Sequence, residues 1–323
     1  MLDPLELVHR IAAWSLCLAL VGACTIRDDS TRANQIEGLR ILALASEPAD
    51  LVQGESTTLS ALVYDEDERA VSYQWSWCIS RGNSDEGYLC NISESELETA
   101  WDELDTGIDL PPYDLGTQET AAFEMFFAPE QALGVCEILS RDAAEPDLEL
   151  FTCLSSLALT IELRVTAGSD QIVAIKDIPI LLEGDERNLN PAIGPNFTRT
   201  LRGGTELQTT APFQLEGIYD VVADVDEAQS ETFLPQAREG LPPPEPRKES
   251  LFLSWFVTVG STHRKGEQHT AYFDTGSIES LTENTWDMPF EFEDADARLF
   301  LVLRDERGGT TWAEHAFTLE DGQ

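Results

Sequence analysis

The sequence predicts an all-β chain folded as two tandem β-sandwiches, and three observations lead there. Apolar and polar residues alternate over short runs, as in Val71-Ser72-Tyr73-Gln74-Trp75-Ser76-Trp77, where every second side chain falls on one sheet face. Turn chemistry separates the runs, as at Ala167-Gly168-Ser169-Asp170 between two apolar segments. The order of elements in the first half also recurs in the second, and 323 residues are enough for two domains.

In chain order, an apolar run from Ile11 closes on Leu20-Val21-Gly22-Ala23-Cys24. It is shorter than the roughly 20 residues that a membrane-spanning helix needs and fits the roughly 7–15 residues of a cleaved signal core. The stretch resembles bacterial lipoprotein signal peptides, in which small residues precede a cysteine that becomes lipidated. One departure is that Asp3 and Glu6 offset Arg10 where that family carries a basic segment. The resemblance covers residues 1–25 and implies loss of residues 1–23, lipid on Cys24, export, and attachment to a membrane through that lipid. Thr25, in place of the aspartate that retains some lipoproteins at the inner membrane, implies the outer membrane.

Acids dominate the charge, with 60 Asp and Glu against 20 Lys and Arg, a net of −40. Residues 1–23 hold Asp3, Glu6 and Arg10, a net of −1, so a chain beginning at Cys24 carries −39. This balance excludes nucleic acid as partner, because phosphate recognition rests on Lys and Arg. It also excludes electrostatic docking on anionic lipid and keeps an exposed protein soluble. Of six cysteines, Cys17 leaves with the signal and Cys24 takes lipid, leaving Cys78, Cys90, Cys136 and Cys153. An even number in an exported chain reads as disulfides. Three connectivities are possible, and the short separations favour Cys78 with Cys90 and Cys136 with Cys153. Each such loop is worth about 3 kcal/mol in the chain-entropy estimate. The absence of CxxC spacing and the distance to His263, His269 and His315 argue against zinc.

After a polar tether at 24–35, residues 36–183 form the first expected domain. Strands are expected at 39–44, 57–64, 71–78, 122–127, 157–165 and 172–180. Residues 79–118 interrupt them. Ser93-Glu94-Ser95-Glu96 is a capping box, and Leu97, Ala100, Trp101 and Leu104 follow at helical spacing. A second helical turn is expected after Pro129, so the sandwich carries partly helical, disulfide-stapled inserts. The strand order, with tryptophans on the third strand, resembles immunoglobulin-like domains, and Leu39 to Val63 resembles the first strands of Ig-like repeats in bacterial surface lipoproteins. The likeness is one of pattern, since the Cys-Trp-Cys spacing of antibody domains is absent.

Residues 184–204, rich in Asn, Pro and Gly, are the expected linker. The second Ig-like domain, 205–320, repeats the pattern with strands at 219–224, 251–257 and 286–292 and a closing hairpin of 298–304 with 311–319. The proline-rich 240–246 is then a loop inside it.

Two Asp-Thr-Gly triplets, at Asp105 and Asp274, resemble the paired aspartates of aspartic proteases. The first follows an acidic helical segment where that motif needs an apolar strand. Fewer than 50 residues follow Gly276, too few for a second lobe. Both are expected to be turns. No nucleophile elbow, HExxH, phosphate loop or dinucleotide fingerprint occurs, so the chain is expected not to be an enzyme. The expected role is structural or adhesive in the cell envelope, with an envelope protein or glycan as partner. The runner-up is a ligand-binding module for calcium or a glycan, and a hydrolase comes third. Calcium, the only cofactor considered, takes six to eight oxygens. The acidic loops that end matching strands offer Asp65 and Asp67 in one domain, Asp224 and Asp226 in the other, without EF-hand spacing. Tryptophans and phenylalanines at period two are expected to be core, whereas a glycan platform needs exposed rings.

Overall fold

The alternating run at 71–78 forms β3 (Val71–Cys78), which buries Trp75 and Trp77 on one face. The indole N–H groups donate to Gln118 O and Pro112 O, both at 2.9 Å, so neither polar edge is left unsatisfied in the core. In this computed structural model the described residues are 35–79, 92–141, 145–146, 150, 159–181, 186–204, 206–207, 211–235, 245–263, 270–273, 281–290 and 296–320. Cys24, Cys90, Cys153 and Asp274 lie outside them.

The first sandwich comprises β1 (Leu39–Glu47), β2 (Ser56–Asp65), β3, α1 (Glu94–Glu103), β4 (Asp114–Gly116), β5 (Ala121–Glu124), α2 (Pro129–Ser140), β6 (Leu159–Ala167) and β7 (Asp170–Ile178). One sheet has the order β1-β2-β5 and the other β4-β3-β6-β7. Lettered in chain order, these are A-B-E against C′-C-F-G, the immunoglobulin arrangement. Ser93 caps α1 through the expected capping box, and Leu97, Ala100 and Trp101 bury its apolar face in the sandwich core. The fifth strand ends at Glu124 rather than at 127. Beyond it Met125 and Phe127 are still buried, but in a connection leading to α2.

The second sandwich comprises β8 (Phe197–Leu201), β9 (Glu206–Leu207), β10 (Phe213–Gln214), β11 (Ile218–Ala223), the small ribbon β12 (Thr232–Phe233) with β13 (Arg247–Lys248), β14 (Leu251–Val257), β15 (Ser261–His263), β16 (Thr270–Phe273), β17 (Glu283–Asp287), β18 (Asp296–Asp305) and β19 (Thr310–Glu320). Its sheets run β9-β8-β11-β17-β15 and β10-β19-β18-β14-β16. The fold class is therefore the expected one, all-β with two tandem Ig-like sandwiches. The parallel pairing of β10 with β19 closes one edge.

Three further boundaries differ from expectation. Phe197–Leu201, assigned to the linker, is a strand paired with β11. Arg199 hid it: a charge at an inward position breaks the alternation, yet this side chain is 0% exposed, with its guanidinium 4.2 Å from the Phe213 ring centroid. The strand expected at 286–292 spans 283–287 instead, because polar Asn284 and Thr285 are buried and Pro289 follows. The expected tether also ends early. Gln35 bridges Val257 and Ile36 N donates to Val257 O at 3.0 Å, so the chain touches the second sandwich before it starts the first.

Candidate functional site

Residues 34–323 form one compact unit, and the junction between the sandwiches is what makes it one. Its apolar half starts with a β-bulge. Ile41 pairs with Val63 and Ala43 with Leu62, leaving Leu42 as the extra residue of β1. Leu42, Ala43 and Leu62 are thereby turned away from the first core. They meet Phe300 and Val302, the outward residues of β18, with Tyr64, Phe256 and Trp312 at the margin. The Tyr64 and Phe300 rings meet edge-on, centroids 5.7 Å apart. Leu299, Leu301 and Leu303 face the second core, so β18 is buried on both faces.

The polar half is built on the β18–β19 turn, where Gly308 at φ +102° makes the reversal that a side chain would strain. Lys176 of β7 donates from Nζ to Gly308 O at 2.6 Å. Arg307 donates to Glu249 at 2.9 Å, Glu231 at 2.5 Å and the Arg187 carbonyl at 3.2 Å. The expected linker supplies the crossing bonds. Asn188 N donates to Asp50 of the first sandwich at 2.5 Å, while its carboxamide donates to Asp305 of the second at 3.2 Å. Asn190 donates to Ser46 O and accepts from Thr310 N, at 2.7 and 2.8 Å. Arg187 adds an ion pair to Asp50 at 2.9 Å. Burial raises the carboxyls of Asp50, Asp305 and Glu249 above their ordinary range, against the pull of neighbouring donors and arginines.

Three of the four carboxylates considered for calcium, those of Asp65, Asp67 and Asp226, already have partners within the chain. Asp65, a candidate ligand, is clasped by Arg69, whose Nη2 lies 2.6 Å from Oδ1; that bond holds its carboxyl below the usual range. The same guanidinium reaches Asp67 at 3.5 Å and Asp170 at 2.7 Å. Asp226 accepts from Ala228 N at 2.8 Å and caps a short 3-10 turn, while the Asp224 carbonyl accepts from Gly194 N at 2.6 Å. Among the described residues no group of three or more His, Cys, Asp or Glu is placed to hold a metal. Thermal unfolding in millimolar calcium and in chelator, with sodium high enough to screen the general charge, should give equal midpoints. A higher midpoint in calcium that Asp65→Asn abolishes would restore the ion.

The remaining candidates are placed as follows. Cys78 and Cys136 are fully buried and disulfide-bonded, and their expected partners lie outside the described residues. Asp105 and Gly107 have positive φ just after α1, in a turn. His315 is half-buried, its ring 4.8 Å from that of Phe197. Trp75, Trp77, Trp101, Trp255 and Trp286 are all buried. The Phe290 ring is strongly exposed, at 78%. No described helix is long and apolar enough to cross a membrane.

No family model matches the chain, and no curated protein matches it. Among solved structures, murine CEACAM1b is similar at 8% identity and TM-score 0.23, covering 88% of this chain and 100% of that one. Extracellular domains 3–5 of Drosophila OTK give 11% and 0.20, covering 88% and 67%. The three N-terminal domains of the bacteriophage RB49 outer capsid protein Hoc give 11% and 0.21, covering 88% and 71%. Scores this low say nothing about partner or activity.

Proposed function

We propose that this chain is a non-enzymatic cell-envelope lipoprotein with a structural or adhesive role, carried on lipid at Cys24 and facing an envelope protein or glycan. The observation that supports the role most is the junction. Two sandwiches riveted by an apolar patch and by the Asn188 and Asn190 bridges form a stiff body, suited to holding a surface at a set distance from a membrane. The lipobox residues Leu20 to Cys24 support the anchor, and the cysteine pairs Cys78 with Cys90 and Cys136 with Cys153 belong to the same reading of an exported chain. The outer membrane is the proposed location. Burial of Trp75, Trp77, Trp101, Trp255 and Trp286 disfavours the glycan-platform alternative.

The test is a Cys24→Ala variant expressed in a bacterium that processes lipoproteins. Wild-type chain should partition with membranes and require detergent for release. The variant should be recovered in the soluble fraction with unchanged circular dichroism. Recovery of the variant in the detergent-requiring fraction at wild-type yield would remove the anchor from the reading.

A further inference from the structure

Where the β18–β19 turn meets the seam between β1 and β7, a cavity of about 380 Å³ is lined by Lys176, Arg304 and Thr310, by residues 41–44 of β1, and by Asp177 and Asp305. Lys176 stands opposite Ile161 in the sheet register, so its stem leaves β7 on the side of the first core and its amine emerges through the seam, the residue as a whole 8% exposed. Arg304 lies on the same wall. Its Nη2 donates to Leu42 O at 2.8 Å and its Nη1 to Ser254 Oγ at 3.4 Å.

Both cations spend these hydrogen bonds on neutral oxygens. Among the described residues neither has a carboxylate within ion-pair distance, in a chain with three acids for every base. The two nearest acids are turned to other work. Asp305 accepts from Gly309 N at 2.7 Å, Arg307 N at 2.8 Å and the Asn188 carboxamide. Asp177 stands opposite Thr160, on the other face of the sheet from Lys176, and accepts its hydroxyl at 2.9 Å. Two cations of one cavity whose hydrogen bonds all end on neutral oxygens, with Asp305 and Asp177 committed to other donors and pulling on Lys176 only through space, leave a place that an oxyanion can take.

We propose that this cavity binds a small oxyanion, a carboxylate or a phosphate group, held between the Lys176 ammonium and the Arg304 guanidinium with the Thr310 hydroxyl beside them. Burial depresses the basicity of Lys176 against the pull of Asp305, and burial lowers Arg304 likewise. Because the walls come from both sandwiches, occupancy would tighten the junction. The site stands or falls independently of the lipid anchor.

Equilibrium dialysis of the full chain against radiolabelled inorganic phosphate, and separately against acetate, at neutral pH and fixed chloride ionic strength, tests this. One equivalent of at least one anion should bind saturably. A tenfold preference for phosphate would assign a phosphate ligand, and equal or weaker phosphate binding would assign a carboxylate. Lys176→Met and Arg304→Met should each weaken binding at least tenfold, while Lys176→Arg, which keeps the charge, should stay within about threefold. Absence of saturable binding of both anions to the wild-type chain would overturn the proposal, whatever the variants do. Undiminished affinity in Lys176→Met would also overturn it, by placing the anion elsewhere.

Discussion

Phe300→Ala should destabilise the protein by about 3–5 kcal/mol, the usual range for truncating a buried phenylalanine, and should do so by parting the two sandwiches. Phe300 is 2% exposed, yet it belongs to neither sandwich core and packs on Leu42, Ala43 and Leu62 across the junction. Its loss should leave both cores intact and empty the centre of the patch between them. Calorimetry of the wild type should show one transition whose van't Hoff and calorimetric enthalpies agree, and the variant should show two. Leu303→Ala, three residues on and inside the second core, is the control. It should lower the single transition without splitting it. A Phe300→Ala variant that unfolds in one step near the wild-type midpoint would show that the patch carries little of the coupling.

Lys176→Met should stabilise the protein at neutral pH in chloride buffers free of oxyanions. Burial lowers the Lys176 amine from 10.5 to about 8. Between those values the unfolded chain holds the extra proton, so stability climbs as pH rises from about 8 to 10.5. This contribution is complete above 10.5 and is lost as pH falls through about 8. At neutral pH the buried charge therefore costs about 3 kcal/mol. Methionine keeps the stem and removes the charge, but it forfeits the bond to Gly308 O, worth about 1 kcal/mol, so a net gain of about 2 kcal/mol is expected. Urea midpoints of both proteins at pH 7 and above pH 10 read this directly. The gap between them should narrow or reverse on the alkaline side, where the wild-type amine is neutral. A variant less stable than wild type at pH 7, with a pH-independent difference, would mean that the ammonium is well solvated in the seam.

The sandwiches were legible because each half-buried strand writes its own alternation. Val71 to Trp77 announces β3, and the capping box at Ser93 announces α1, since both signals are local. Features that depend on what covers the second face of a sheet were not legible. Leu299-Phe300-Leu301-Val302-Leu303 reads as half of an ordinary hairpin, although such an unbroken apolar run is the pattern of a strand buried on both sides. That was the available signal for the junction. Leu42 gave none, because a bulge changes which face a residue takes without changing its type. Asn188 and Asn190 were rightly read as breaking regular structure. Their partners, however, lie more than 100 residues away in the sequence, beyond any spacing rule. Asp65 offered a nearer warning, because Arg69 stands four residues on, at ion-pair reach.

The central claim is that the two sandwiches move as one body. Double electron–electron resonance between nitroxides on cysteines introduced at Glu124 of β5 and Thr318 of β19, both exposed, tests it most directly. The native cysteines are first brought to their oxidised state. A single narrow distance distribution, unchanged by moderate salt, is the predicted result. A broad distribution of the kind given by domains on a flexible linker would contradict the account.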